Sequence, residues 1–246
     1  MIAHGDPPRY LTFERLGALG VPHATTTRHC PGVTSPTQAT APLTAAARPV
    51  LAEAGLDLTR FAYARQVHGA DVASAPSSGG FAGAVDVLTT TERRLPLAIF
   101  TADCLPIVLY DADTPALAVA HVGWRGTVKG AAKAAVRAIV KLGARADRLA
   151  VAIGPAIGPC CYEVDTPVAD AFRAAYLEHA REWMRPHRPE HFMLDLWAAN
   201  EAILTEAGVD PARLENPRLC TACHPDLLYS YRKGNRGRLV TVAALP

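Results

Sequence analysis

Through its middle third the chain carries its apolar residues in short unbroken runs. Leu97-Ala98-Ile99-Phe100, Pro106 to Tyr110 and Ala116 to His121 are each of strand length. Polar punctuation separates them at Thr101-Ala102-Asp103-Cys104 and at Asp111-Ala112-Asp113. The pattern predicts three consecutive strands. Downstream, an Ala-rich segment from Ala131 to Leu142 predicts a helix stopped by Gly143. Leu149 to Ile153 predicts a strand, Thr166 to Trp183 a helix, Asp195 to Ala207 a helix ended by Gly208, and Leu239 to Ala244 a final strand. Upstream, Gly32 to Pro49 has no strong period and predicts a loop leading into a helix around Ala45 to Gly55. Phe61 to Val67 predicts a strand ending at His68, and Ser74 to Gly83 a loop. Helices and strands interleave, yet several strands are consecutive. That favours an α+β fold, with mixed β-sheets packed with helices, over a regular doubly wound one. No internal repeat or linker divides residues 1–246, so a single domain is expected.

Composition narrows the partners. The 246 residues are 50% hydrophobic, enough for a large core. The charged fraction of 20% and net charge of +2 give no basic surface for nucleic acid. No apolar run approaches the ~20 residues of a membrane helix, and the N-terminus lacks the basic-then-apolar pattern of a secretory signal. Six cysteines in a chain this long do not form a disulfide framework, so reduced thiols and a cytoplasmic location are expected.

Three residues in marked motifs carry candidate chemistry: His68 in Gln66-Val67-His68-Gly69, Cys104 in Thr101-Ala102-Asp103-Cys104, and His121 before Val122-Gly123-Trp124-Arg125-Gly126. Two imidazoles and a thiolate can hold zinc and leave a fourth position open. Each residue alone has a plainer reading: a turn histidine, a small buried hydrophobe, a histidine closing a strand. The glycines flanking Trp124 and Arg125 predict a tight turn that projects those side chains toward a cleft.

The strings Gln66-Val67-His68-Gly69-Ala70-Asp71-Val72, Thr101-Ala102-Asp103-Cys104-Leu105-Pro106, His121-Val122-Gly123-Trp124-Arg125-Gly126 and Gly154-Pro155-Ala156-Ile157-Gly158-Pro159-Cys160-Cys161-Tyr162-Glu163-Val164 resemble the laccase-domain family. Its members are also called YfiH-like, polyphenol oxidase family or peptidoglycan editing factor proteins. Asp195-Leu196-Trp197-Ala198-Ala199-Asn200 and Ser230-Tyr231-Arg232 fit later motifs. The resemblance implies a CNF/YfiH-like fold in which His68, Cys104 and His121 bind zinc in a cleft. It also implies phosphorolysis of adenosine, inosine, guanosine and methylthioadenosine to base and ribose 1-phosphate, with deamination of adenosine. Older family descriptions imply copper-dependent polyphenol oxidation instead, and a related role limits serine misincorporation into peptidoglycan precursors. The stretch Thr27-Arg28-His29-Cys30-Pro31-Gly32-Val33-Thr34-Ser35 departs from the family's Thr-Arg-x-Gly-Gly-Val-Ser pattern, and the Leu-Asn-rich segment that follows it is not recognisable.

For phosphorolysis, guanidinium groups suit phosphate. Arg28 and Arg125 are the first candidates, with Arg65 and Arg232 behind them. Asp103 and Glu163 are candidate proton-transfer groups, each equally able to serve as a structural carboxylate. Trp124 and Tyr162 are candidates for stacking on a purine. Cys220-Thr221-Ala222-Cys223 is a single C-x-x-C motif, redox-active or metal-binding in principle; free thiols are the favoured reading. His179, His187 and His191 are expected to be solvated. Competing readings are a copper phenol oxidase, for which the nine dispersed histidines are too few in clusters, a cysteine hydrolase with Cys104 as nucleophile and His121 as base, and a cell-wall factor with a structural zinc. A monomer or weak dimer is expected.

Overall fold

The central strands are unbroken in their apolar character because both of their faces are covered. In the computed structural model, which describes residues 1–34 and 43–246, Leu105–Asp111 pairs antiparallel with Ala116–Val122, Val108 lying opposite Val119. Successive side chains point to opposite faces. Leu105, Ile107, Leu109, Ala116, Ala118 and Ala120 enter one core, while Val108, Tyr110, Leu117 and Val119 enter another. Neither face meets water, so neither requires polar residues. Burying each leucine contributes about 1.5–3 kcal/mol.

This pair sits in a six-stranded sheet in the order Leu214–Glu215, Ala150–Ile153, Leu105–Asp111, Ala116–Val122, Val87–Thr90, Val72–Ser74. The outermost pairs are parallel and the inner ones antiparallel. A seven-stranded sheet runs Ile2–His4, Tyr10–Thr12, His23–Thr26, Leu239–Ala243, Leu97–Thr101, Ala62–Tyr63, Gly80–Phe81. The core shared by the two sheets holds Leu88, Val108 and Leu117 from the first with Leu97, Ile99 and Ala243 from the second. Helices Ala131–Lys141 and Leu196–Glu206 cover the outer face of the six-stranded sheet, and Ala47–Ala52 packs against the outer face of the other. Along Ala131–Lys141 the buried positions are Ala131, Ala132, Ala135, Val136 and Ile139, one stripe of an amphipathic helix. A small antiparallel sheet joins Glu163–Asp165, His191–Leu194 and Met184–Arg188. No helix among the described residues is long and apolar enough to cross a membrane.

The mixed α+β architecture is the one the element order predicts, and the details differ in four places. The strand expected over Phe61 to Val67 is only Ala62–Tyr63, because the chain then turns into a loop built around a buried carboxylate. The loop expected over Ser74 to Gly83 contains the short edge strand Gly80–Phe81. The helix expected over Thr166 to Trp183 ends at Tyr176, where Leu177 takes a φ of 44°, and resumes at Ala180–Trp183. The tight turn expected at Gly123-Trp124-Arg125-Gly126 is instead the start of the helix Trp124–Val128. Part of the loop expected over Gly32 to Pro49, residues 35–42, lies outside the described residues.

Candidate functional site

Strand ends from both sheets converge at one edge of the molecule. His121 is next to last in Ala116–Val122, and Cys104 lies between the strands Leu97–Thr101 and Leu105–Asp111. His68 comes from the loop after Ala62–Tyr63 and has a φ of 56°. The three donor atoms lie within 4.8 Å of one another, with Cys104 Sγ 3.9 Å from His68 Nε2. The two imidazole rings meet edge to face at 4.8 Å between centroids. Gly123 closes over them. A Cβ there would stand 2.8 Å from Cys104 Sγ and 3.3 Å from His68 Cδ2, so only glycine leaves the cluster room.

Asp86 organises the cluster from beneath. It is 1% exposed and follows Val85 at the entrance to the strand Val87–Thr90. Its carboxylate accepts the backbone N–H groups of Val67 at 3.1 Å, His68 at 3.0 Å and Gly69 at 2.7 Å, which shapes the loop that carries His68. It also accepts from His121 Nδ1 at 2.8 Å. An ionised carboxylate only accepts, so Nδ1 carries the proton and Nε2 is left facing Cys104. A carboxylate that fixes the tautomer of a ligating histidine is the usual support of a metal site. Gln66 holds the same loop to the neighbouring strand through two bonds with the Phe100 backbone, at 2.6 and 2.7 Å.

Burial works against charge on both His121 and Cys104, and the pair overcomes it. Desolvation raises the Cys104 thiol, but the charge and hydrogen bond of His121, with a further bond from His68, bring it down to about 6. Desolvation lowers His121, but the Cys104 thiolate and the Asp86 hydrogen bond raise it to about 9. The metal-free pair is a thiolate facing an imidazolium. Two imidazoles and a thiolate, one imidazole backed by a carboxylate, form a donor set that suits zinc and keeps a fourth position for a ligand.

The cluster forms the floor of a cavity of about 520 Å³, within the range of small-molecule sites. Arg65, Arg125, Arg232 and Arg238 line it together with Phe100, Trp124, Tyr162 and Tyr231. Arg125 lies over the Trp124 ring at 4.3 Å. Arg232 lies over the Tyr162 ring at 5.2 Å and donates to the Glu163 carbonyl at 2.8 Å. Among the described residues no carboxylate forms an ion pair with Arg65, Arg125, Arg232 or Arg238, so four guanidinium groups line the cavity with no ion-pair partner. Burial holds the Tyr162 phenol well above its ordinary value, so it keeps its proton.

Residues 36–246 match the family described as multi-copper polyphenol oxidoreductase laccase. The chain belongs to this family. It is 39% identical over 248 residues to a protein of Deinococcus radiodurans named purine nucleoside phosphorylase, covering 96% of this chain and 94% of that protein. It is 35% identical over 159 residues to a protein of an unknown prokaryotic organism named adenosine deaminase RL5, covering 64% of this chain and 61% of that protein. Among solved structures it is similar to YlmD from Geobacillus stearothermophilus, with a TM-score of 0.87, 28% identity and coverage of 99% of this chain and 98% of that one.

Not every residue singled out in this laccase-family sequence reaches the cavity. Arg28 does not line it: its guanidinium donates to the Pro225 carbonyl and lies over the Tyr229 ring at 5.4 Å. Glu163 accepts from Arg188 Nε at 2.8 Å and Nη2 at 2.7 Å, which keeps its carboxyl down at about 2 and away from proton transfer. Asp103 borders the cavity, but its carboxylate is already taken. It accepts from Thr221 Oγ1 at 2.6 Å and from the Arg232 backbone N–H at 2.7 Å. Its φ of 88° turns the chain between two strands, so its role is structural. Sequence reading missed Asp86, Arg238, Phe100 and the exposed Tyr231 as parts of the site. Asp86 alone left a signal, as an isolated acid in the apolar run Val85-Asp86-Val87-Leu88, where an unpaired carboxylate would be costly.

Proposed function

We propose that this protein is a zinc-dependent purine nucleoside phosphorylase, converting adenosine, inosine, guanosine or methylthioadenosine to the free base and ribose 1-phosphate. The observation that carries the reading is one cavity holding both a three-donor metal site and unpaired arginines, with aromatic rings between them. Phosphate is the natural partner of the arginines, because a guanidinium fork matches its oxygens. Arg65 and Arg125 are the proposed anchors, in place of Arg28. Trp124 and Tyr231 offer faces for a purine. A phosphate oxygen attacks the ribose C1′ as the C1′–N9 bond breaks, and the purine leaves with the bonding electrons and takes up a proton. The Tyr162 phenol, kept protonated by burial, is the proposed hydrogen-bond donor to that base.

A zinc ion held by His68, Cys104 and His121 would supply Lewis acidity and a water that ionises near pH ~7. That second property supports deamination of adenosine in the same cleft, a reading favoured by the relative named adenosine deaminase. Phenol oxidation by several coppers has less support. Among the described residues only two groups could hold a metal, and one of them is made of cysteines alone. Incubating metal-replete protein with adenosine and phosphate, followed by chromatography, tests the proposal. Adenine and ribose 1-phosphate in equal amounts support it, and inosine supports the second reaction. The absence of all three overturns both.

A further inference from the structure

Four of the six cysteines meet in a cluster of their own, and none of them lines the cavity. Cys160 and Cys161 follow Gly158-Pro159, and Cys220 and Cys223 form the single C-x-x-C of the chain. Their sulfurs all lie within 4.8 Å of one another, with Cys223 Sγ 3.4 Å from Cys160 Sγ and 3.5 Å from Cys161 Sγ. We propose that these four cysteines form a second, structural zinc site that clamps the two loops of the cavity wall together.

The geometry favours a cation over a disulfide. Zinc–sulfur bonds of about 2.3 Å in a tetrahedron place the sulfurs about 3.8 Å apart, inside the observed spread. A disulfide needs about 2.05 Å between one chosen pair. Here Cys223 is shared almost equally between two adjacent partners, and Cys220 completes a set of four. All are free thiols. One backbone group is already aimed at the cluster: the Gly158 N–H donates to Cys220 Sγ at 3.2 Å. Such bonds stabilise thiolates and orient them toward a metal. Gly158 can come this close only as glycine, because a Cβ there would meet the Trp197 ring at 2.5 Å.

The backbone shows what the site would hold. Ala156 and Cys220 form a parallel bridge, with Thr221 N–H donating to the Ala156 carbonyl at 3.0 Å. The first loop leads directly to Tyr162, and the second to Arg232, both in the cavity wall. Thr221, between the two cysteines of the motif, bonds Asp103, the neighbour of Cys104. Zinc at the four cysteines would therefore fix the wall that faces the first metal site while touching no substrate.

Metal analysis separates the two sites. Wild-type protein is expected to carry two zinc ions per chain. The His68→Ala/His121→Ala variant keeps one, and the Cys160→Ser/Cys223→Ser variant keeps the other. Cobalt(II) added to the metal-free His68→Ala/His121→Ala protein should give the absorption of a tetrahedral tetrathiolate centre, saturating at one equivalent and abolished by the two serine substitutions. A folded His68→Ala/His121→Ala chain that binds neither zinc nor cobalt would overturn the proposal. So would an intact mass short by two hydrogens, with Cys223 found in a disulfide, or a preparation in which iron occupies the four cysteines. If that variant does not fold, the wild-type and serine-variant zinc contents decide alone: equal contents contradict the second site.

Discussion

Asp86 holds His121 by a 2.8 Å bond to Nδ1 while its carboxylate also accepts three backbone N–H groups from the loop that carries His68. One buried side chain therefore sets the positions of two proposed metal donors, one on a loop and one on a strand. Replacing Asp86 with Asn keeps the size but removes the charge and places an N–H where an acceptor is needed. Asp86→Asn is expected to lower zinc affinity about 10–100-fold. Competition against a chromophoric chelator measures this, and an unchanged affinity would show that the carboxylate does not support the metal.

The metal-free pair makes a statement about protons. With Cys104 lowered to about 6 and His121 raised to about 9, at pH 7.5 the thiol has already lost its proton and the imidazole has not. A metal needs the neutral imidazole and the thiolate. Zinc binding at pH 7.5 is thus expected to release the proton of His121 and none from Cys104. Titration calorimetry of the Cys160→Ser/Cys223→Ser protein in buffers of different ionisation enthalpy reads the number released. Alkylation of metal-free Cys104 should show its midpoint near pH 6 and move upward in His121→Ala, because the cation that stabilises the thiolate is gone.

Arg65 and Arg125 are the proposed phosphate anchors. Losing a hydrogen bond to a charged group costs about 1.5–3 kcal/mol, roughly a 10- to 150-fold effect. Arg65→Ala and Arg125→Ala are each expected to raise the KM for phosphate within that range with zinc content unchanged. Arg28→Ala, with its guanidinium on Pro225 and Tyr229, should leave the KM for phosphate within a few-fold of wild type. Initial rates at varied phosphate compare all three.

Much of this architecture is legible in the sequence, for a physical reason. Strands buried on both faces leave unbroken apolar runs, and the Leu97, Pro106 and Ala116 segments mark their strands to within about two residues. The three proposed metal donors are legible only through their motifs, because Cys104 and His121 meet His68 by tertiary packing that no local spacing encodes. The loop over residues 64–70 defeated periodicity since its conformation answers to Asp86, some twenty residues away in sequence. The two-residue strands Ala62–Tyr63 and Gly80–Phe81 are too short to carry an alternation at all. The gathering of Cys160 and Cys161 with Cys220 and Cys223 is likewise a product of the fold, made by the bridge between Ala156 and Cys220.

Gly123 tests the packing of the site without touching a donor. Its φ of −89° suits any residue, so the demand is for space alone. Gly123→Ala would drive a methyl against Cys104 Sγ and the His68 ring. The variant is expected to fold, with a Tm close to that of wild type stripped of metal, and to lose metal from the three-donor site. Zinc content together with a thermal melt checks it, and full metal occupancy would show that the cluster has room to shift.

The most direct test of the central claim is base release from inosine, measured against phosphate concentration in wild-type and His121→Ala protein. Hypoxanthine should appear only with phosphate, saturate as phosphate rises and match ribose 1-phosphate one for one, and His121→Ala should release none. Base release that ignores phosphate, or persists undiminished in folded His121→Ala, would contradict the account.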